Sequence, residues 1–236
     1  STFFICTPTF HSKYFYWDIL NYLLIEQNEL CNYRKKIILD LSKKIKINLR
    51  VEEILDENIF EEQKNWKINF KTIPSKRCQL FKELVSKLEF ENHYKANNLL
   101  EPIYNMDYDI APQKSFYNNY ETKKTPYVNF GSHTLNHYSL STLSKNDQVK
   151  EILDNKDNLE ELFDFKIKYF AYPFGSLKHY NKNSVDIVKS NFQLGFSNFP
   201  GLVHKDSNLY ELPRFLIRDW PLDIFVNKIS RFFNHK

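Results

Sequence analysis

Two histidines four residues apart are the part of this sequence best suited to bind a metal ion. His133 and His137 follow a short run at residues 127–130 that predicts a β-strand. If the chain turned into a helix there, residues i and i+4 would lie on one face and could hold one ion together. Imidazole nitrogen is a common ligand of zinc and of neighbouring metals. The spacing alone is a weak signal, because seven histidines in 236 residues can produce it by chance, and either histidine could instead be structural.

A second group of residues strengthens the metal-site interpretation. Pro173, Phe174 and Gly175 come directly after residues 167–172, which predict another strand. Glycine is scarce in this chain, with four in total, so Gly175 indicates a tight backbone turn. Both groups then lie at the C-terminal ends of predicted strands, where α/β barrels place their chemistry. A simple buried strand end is the alternative for the second group.

Together the two groups resemble the signatures of the polysaccharide deacetylases, the NodB-type esterases of carbohydrate esterase family 4. His133, Thr134 and His137 match the family's H-[ST]-x-x-H metal motif, and Pro173 with the two residues after it matches its Pro-aromatic-Gly turn. The resemblance implies a bacterial hydrolase that removes N- or O-acetyl groups from a polysaccharide or oligosaccharide, acting on carbon–nitrogen bonds other than peptide bonds. The alternative is a catalytically inactive relative that binds glycans or serves as a scaffold.

The resemblance also implies a role for each matching residue. His133 and His137 would ligate a divalent metal, most simply Zn²⁺, and Thr134 would support the loop between them. The backbone N–H of Phe174 would donate to the tetrahedral oxyanion, and Arg214 would orient the catalytic aspartate. The residues expected to line the substrate groove are Tyr172, Pro173, Gly175 and Trp220.

The sequence departs from the family pattern in its first motif. That motif is a T-F-D-D run, whose first Asp is the general base and whose second is the third metal ligand, and it occurs nowhere in this chain. Residues 1–7 resemble the strand after that motif, so we expect an N-terminally truncated fragment without the first barrel strand. The Arg that many members carry before the Pro is Ala171 here. The catalytic acid stays unassigned, with His179 and His204 as weak candidates.

Strand-like and helix-like segments alternate along the part of the chain that carries these residues, which predicts a parallel sheet in the α/β class. The resemblance narrows this to an irregular (β/α)7 TIM-like barrel that spans residues 1–236 as one domain. Residues 28–110 predict a mostly helical insertion, which would be plain core packing or, alternatively, a lid or partner-binding face. The predicted strands are 1–7, 127–130, 167–172, 194–197 and 214–217. The predicted helices are 13–26, 51–63, 78–94, 147–163, 185–191 and 221–233, with a loop at 101–125.

Composition excludes several other classes of protein. The net charge of +4 is spread along the chain without a recognition motif, which argues against nucleic-acid binding. Three cysteines without C-x-x-C spacing argue against a disulfide scaffold and against a cysteine zinc site. No transmembrane segment or secretory signal is recognisable. The compartment, cytoplasm or cell envelope, and the oligomeric state stay open.

Overall fold

The computed structural model describes residues 1–7, 15–91, 93–104 and 127–234. These residues divide into two compact units. The helical unit comprises residues 15–91 and 93–104, and the sheet unit comprises residues 1–7 and 127–234. None of the helices in these ranges is long and apolar enough to cross a membrane.

The helical unit is built from five helices around an apolar core. The fourth helix buries one apolar face, with Cys78, Leu84 and Leu88 each at most 4% exposed, so this face belongs to the core of the unit. Most of the predicted loop at residues 101–125 lies outside the described residues, but 101–104 close a helix. The helices are α1 (Tyr16–Leu24), α2 (Asn32–Lys44), α3 (Glu57–Asn65), α4 (Lys76–Leu88) and α5 (His93–Tyr104).

The helix predicted for residues 51–63 is wrong in its first half. Residues 51–55 are not helical, and Ile54 forms an antiparallel bridge with Glu29. Helix α3 begins only after Asp56, whose side chain accepts a hydrogen bond from the Asn58 N–H. An aspartate at this position satisfies a backbone N–H that the first turn of a helix leaves unpaired, so it marks the start.

Two buried polar side chains of the helical unit bind backbone carbonyl groups. The guanidinium of Arg77, a residue that is 0% exposed, donates to the carbonyl oxygens of four residues. The side-chain amide of Gln63 donates to the Leu24 and Ile25 carbonyls, where α1 ends. The four carbonyl groups that Arg77 binds belong to Gln27, Asn28, Glu52 and Glu53.

The sheet unit contains four parallel strands in the order β1-β2-β3-β4. Four of the predicted strands are confirmed, and so are the α/β class and the parallel sheet. Three of the strands are shorter than predicted, and the strand predicted at residues 127–130 lies two residues later. The seven-stranded barrel stays a prediction. The strands are β1 (Thr2–Ile5), β2 (Asn129–Ser132), β3 (Tyr169–Ala171) and β4 (Leu194–Phe196).

The fifth predicted strand, at residues 214–217, is wrong. Among the described residues after β4, only Leu212 pairs with the sheet, in a single parallel bridge with Phe196. Pro213 comes next and has no N–H to continue a ladder. The Arg214 N–H donates instead to the Phe199 carbonyl oxygen at 3.0 Å.

Three helices accompany the sheet, close to their predicted positions: α6 (Lys145–Phe163), α7 (Lys182–Asn191) and α8 (Leu222–Asn234). Helix α6 begins at Ser144, whose hydroxyl accepts a hydrogen bond from the Asp147 N–H. Its buried face carries polar as well as apolar side chains. The buried residues of α6 are Gln148, Glu151, Ile152, Asn155, Leu159 and Phe163.

Candidate functional site

His133 is fixed at the end of β2 by both neighbouring strands. Its backbone N–H donates to the Ile5 carbonyl oxygen at 3.0 Å, and its own carbonyl accepts from the Cys6 thiol at 3.0 Å. On the other side, its ring Nδ1 lies 2.6 Å from the carbonyl oxygen of Ala171, the last residue of β3. A carbonyl oxygen only accepts, so Nδ1 carries the hydrogen and Nε2 carries the lone pair. The sheet therefore leaves Nε2 of His133 as the ring atom that could bind a metal ion.

The segment from His133 to His137 is a loop, so the helix considered for this spacing is wrong. Thr134 and His137 both have left-handed backbone conformations, with φ of 67° and 56°. The buried Thr134 hydroxyl accepts a hydrogen bond from the His137 N–H at 3.1 Å. A β-branched residue rarely adopts this conformation, so contacts around the loop must hold it there. The hydrogen bond to His137 is a physical basis for the supporting role expected of Thr134.

The loop brings the two imidazole rings face to edge. Their centroids are 4.8 Å apart and their planes meet at 85°. The Phe174 ring lies 4.8 Å from His137 and 5.0 Å from His179. His179 in turn has its Nδ1 2.7 Å from the Ser176 hydroxyl oxygen. The structure thus gathers residues from the ends of β2 and β3 into one cluster, the histidine cluster, which consists of His133, His137, Phe174 and His179.

Both predicted ligands are neutral near pH 7. Burial lowers the pKa of His133 to about 4; the hydrogen bond to Ala171 opposes this, and the positive charge of Arg214 adds to it. Burial also lowers the pKa of His137 to about 3, and repulsion from His133 and His179 acts in the same direction. A neutral imidazole is the form that binds a metal ion. The site therefore keeps its nitrogen lone pairs available over the physiological pH range.

The turn after β3 contains two consecutive left-handed residues, Phe174 with φ of 57° and Gly175 with φ of 73°. The Gly175 N–H donates to the Pro173 carbonyl oxygen at 2.6 Å. Asn198 holds the turn from the chain after β4, because its N–H donates to Gly175 and its side-chain amide donates to the Phe174 carbonyl. A Cβ on Gly175 would lie 2.5 Å from the Asn198 Cβ, so the turn requires glycine for space as well as for conformation.

Tyr172 occupies a core position, although we expected it to line the groove. It is 1% exposed, and its ring stacks on Tyr180 at a centroid distance of 4.0 Å. Its hydroxyl donates to the Tyr210 carbonyl oxygen at 2.9 Å. Pro173 is buried as well. These two residues shape the end of β3, and it is the Phe174 side chain that reaches His137.

Of the candidates later in the chain, Arg214 is the one that acts on the histidine cluster, because its positive charge lowers the pKa of His133. Its Nε donates to the Ser197 carbonyl oxygen at 2.6 Å, and its guanidinium lies 5.7 Å from the centre of the Phe4 ring. Trp220 precedes α8, where the Lys228 ammonium lies 4.8 Å from the centre of its ring. His204 is in an exposed segment. Arg214 is therefore the candidate whose charge acts on His133.

Two residues of α6 that the sequence did not predict make hydrogen bonds to the segments that carry the site. The Glu151 carboxylate accepts from the backbone and side-chain N–H groups of Asn136, which lies between the two histidines. The Asn155 amide donates to the Ile5 carbonyl and to the Ser132 hydroxyl, and these two bonds connect the end of β1 to the end of β2. Burial raises the pKa of Glu151, and its hydrogen bonds from Asn136 oppose that rise. A sequence signal existed, because both polar residues interrupt the apolar stripe of a long helix.

The side chains of the site are of a type that binds transition-metal ions. His133 and His137 supply two neutral imidazoles, and one of them has its tautomer set by a carbonyl, as is usual for metal-ligating histidine. Catalytic zinc generally uses three protein ligands. In the described parts of the chain, no group of three or more His, Cys, Asp or Glu side chains could hold an ion. The described residues could thus supply two of the three ligands.

Comparison with known proteins confirms the resemblance predicted from the sequence. Residues 120–195 match the family model of the polysaccharide deacetylases. A Bacillus subtilis protein assigned to the polysaccharide deacetylases, YxkH, is 28% identical over 88 residues, which cover 37% of this chain and 30% of that protein. This chain thus spans less than a third of the length of that relative. The segment that matches the family model, residues 120–195, contains both predicted signatures and the helix between them.

Two solved structures show likeness over a similar share of the chain. The Streptococcus pyogenes deacetylase PplD, solved in complex with acetate, is 31% identical, with 38% of this chain and 39% of that chain covered and a TM-score of 0.36. A polysaccharide deacetylase from Bacillus cereus is 23% identical, with 43% and 32% covered and a TM-score of 0.38.

Proposed function

We propose that this chain, which belongs to the polysaccharide deacetylases through residues 120–195, serves in metal-dependent removal of acetyl groups from an acetylated polysaccharide or oligosaccharide. The observation that carries the proposal is the pair of neutral imidazoles of His133 and His137, with ring centroids 4.8 Å apart. They lie at the C-terminal end of β2, beside the turn that ends β3. Two such imidazoles at the end of one strand are suited to binding one metal ion together.

His133 and His137 would hold the metal ion, and Zn²⁺ suits two imidazoles with an oxygen ligand. A bound divalent ion would supply an acidic water and would polarise the acetyl carbonyl. The chain's own contribution begins with the Ala171 carbonyl, which keeps the hydrogen of His133 on Nδ1 and its lone pair on Nε2. Burial keeps both rings neutral, so a proton does not compete for the ligand atoms above about pH 4.

The turn after β3 would bind the reacting acetyl group. Phe174 is held in a left-handed conformation, and its ring packs on His137. Its backbone N–H would donate to the oxyanion that forms as the carbonyl is attacked, and such preorganised donors stabilise the transition state by several kcal/mol. Arg214, fixed to the Ser197 carbonyl, would orient an acidic group at the site. Gly175 and Trp220 would complete the substrate-binding surface.

The proposal extends to the fold of the functional protein. We propose that the four parallel strands of the sheet unit are part of an irregular (β/α)7 barrel, with the helical unit as an insertion into it. This arrangement would place the C-terminal ends of β1 to β4 around one site, as in other α/β barrels.

The test is to compare zinc binding and acetate release in the wild type, His133→Ala and His204→Ala. Zinc affinity is measured by isothermal titration calorimetry, and acetate release is measured with acetylated chito-oligomers as substrate. We expect His133→Ala to weaken zinc binding by more than ~100-fold, because even changes outside the ligand set typically lower affinity by ~10- to 100-fold. The exposed His204 provides the matched control and should behave as the wild type.

Equal zinc affinity and equal acetate release by His133→Ala would overturn the assignment of His133 as a ligand. Because the chain lacks the T-F-D-D motif, zinc binding by the wild type without acetate release is expected both of a fragment and of the second candidate, a catalytically inactive relative that binds glycans or serves as a scaffold. Binding of acetylated chito-oligomers without turnover, measured by calorimetry, would then distinguish a glycan-binding role from a scaffold role.

A further inference from the structure

We infer that Glu151 is a positioning residue whose carboxylate holds the loop between His133 and His137 in the shape that brings the two imidazoles together. The role assigned to the histidine pair rests on the proposed function. The contacts that support the inference are independent of it.

Glu151 binds both residues at the centre of the loop. Its Oε2 accepts from the Asn136 backbone N–H at 2.9 Å, and its Oε1 accepts from the Asn136 side-chain amide at 2.7 Å. Its backbone carbonyl accepts from the Leu135 N–H at 3.0 Å. Two successive backbone N–H groups between the histidines therefore end on this one residue. A carboxylate that receives two N–H donors makes stronger hydrogen bonds than a neutral acceptor would.

The loop needs such an external support. Thr134 and His137 both have left-handed φ values, of 67° and 56°, and each is unfavourable for a residue with a side chain. The bond from the His137 N–H to the Thr134 hydroxyl lies within the loop and cannot fix its position relative to the sheet. Glu151 supplies the missing connection, because it joins the middle of the loop to a helix of 19 residues.

Helix α6 is itself fixed at this place. Gln148, one turn before Glu151, donates to the Leu143 carbonyl and accepts from the Ser184 hydroxyl. Asn155, one turn after it, donates to the Ile5 carbonyl at 2.9 Å. Glu151 is 7% exposed and lies between these two buried anchors. The Glu151 carboxylate therefore has little freedom to move, and the position of the helix determines the position of the loop that it binds.

The substitution Glu151→Gln tests this role with little change in size. A glutamine can accept only one of the two N–H groups of Asn136, and its NH₂ would face the other donor. The matched control is Glu161→Gln, which removes the same charge from an exposed position of the same helix. Glu151→Asp keeps the carboxylate and should restore part of what Glu151→Gln loses.

Two measurements are made on the folded protein. Zinc affinity from calorimetry should fall by about 10- to 100-fold in Glu151→Gln, the range for residues that support metal ligands, and should be unchanged in Glu161→Gln. Independently of metal, long-range ¹H–¹⁵N spectra of the imidazoles report ring environment and tautomer. The signals of His133 and His137 should move in Glu151→Gln, stay in Glu161→Gln and return toward the wild type in Glu151→Asp.

The imidazole spectra separate this inference from the proposed function. If the wild type bound no zinc, the proposed function would fail, while the spectra would still decide the role of Glu151. Imidazole signals of Glu151→Gln at their wild-type positions would overturn the inference, whatever the change in thermal stability. If Glu151→Gln does not fold, Asn136→Ala removes one of the two carboxylate contacts, and unchanged His137 signals in that variant would overturn it equally.

Discussion

The two units of this protein use their buried polar side chains in different ways. In the helical unit, the buried side chains of Arg77 and Gln63 bind backbone carbonyl groups where helices and extended segments end. In the sheet unit, His133 and His137 turn their rings toward each other. The first arrangement gives hydrogen-bond donors to backbone carbonyl groups. The second buries two imidazoles side by side away from water, and this burial lowers the pKa of both.

This difference teaches where to look for function in a chain with many buried polar residues. A polar group whose partners are all backbone atoms has a structural explanation. The pairing of His133 and His137 has no such explanation, because burial lowers the pKa of both and His133 lowers that of His137 further. Groups with perturbed pKa values that cluster in this way are candidates for a functional site.

The largest expected effect is the loss of stability from Arg77→Ala. The substitution leaves four carbonyl oxygens of the helical unit without their donor, and we expect the free energy of unfolding to fall by about 3 kcal/mol or more. Urea unfolding followed by circular dichroism measures it, with the exposed Arg50→Ala as the control. A loss equal to that of Arg50→Ala would show that the four bonds contribute nothing.

Asn155→Ala tests whether the sheet unit also contains a purely structural polar residue. Asn155 is 0% exposed and binds Ile5, Ser132 and Thr7. We expect a loss of roughly 2 kcal/mol in the free energy of unfolding, because the half-buried Thr7 N–H loses its acceptor and the Ile5 carbonyl loses one of its donors. Asn146→Ala, at an exposed position of the same helix, is the control. Equal unfolding midpoints for the two variants would contradict the expectation.

Thr134→Val removes one acceptor from the loop and keeps the shape of the side chain. The His137 N–H loses its hydrogen bond to the hydroxyl, and we expect about 1 kcal/mol less stability with a measurable loss of zinc affinity. Thr134→Ser keeps the hydroxyl and should retain the affinity. If calorimetry gave the same zinc affinity for Thr134→Val and Thr134→Ser, the hydroxyl would have no supporting role.

We expect the stability of the metal-free protein to fall as the pH is lowered from neutral. Both histidines have a folded pKa below the ordinary 6.5, about 4 for His133 and about 3 for His137. Below pH 6.5 the unfolded chain binds protons that the folded protein does not, so stability falls from there toward pH 4 and 3. Urea midpoints of the wild type, relative to His133→Asn/His137→Asn, should decline over this window. A constant difference between the two proteins would refute the lowered pKa values.

Sequence reasoning predicted the fold best where a pattern repeats. The strands around Phe3 and Phe170 and the long helix before Phe163 all follow from apolar periodicity. The sequence-based prediction of strands and helices failed where the chemistry of a single residue overrides the pattern. Pro213 ends the pairing that was expected to continue at Arg214, and Asp56 starts a helix that was expected earlier.

The candidate site was predicted in its residue types and missed in its geometry. The sequence by itself determined that His133 and His137 stand four residues apart after a strand, and that a Pro-Phe-Gly turn follows the next strand. Only the tertiary structure decided that the histidines meet through a left-handed loop, with Ala171 setting the tautomer of one and Glu151 holding the segment between them. These contacts join residues 15 to 38 positions apart. They depend on the register of β2 and β3 and on the packing of α6, which no local spacing specifies.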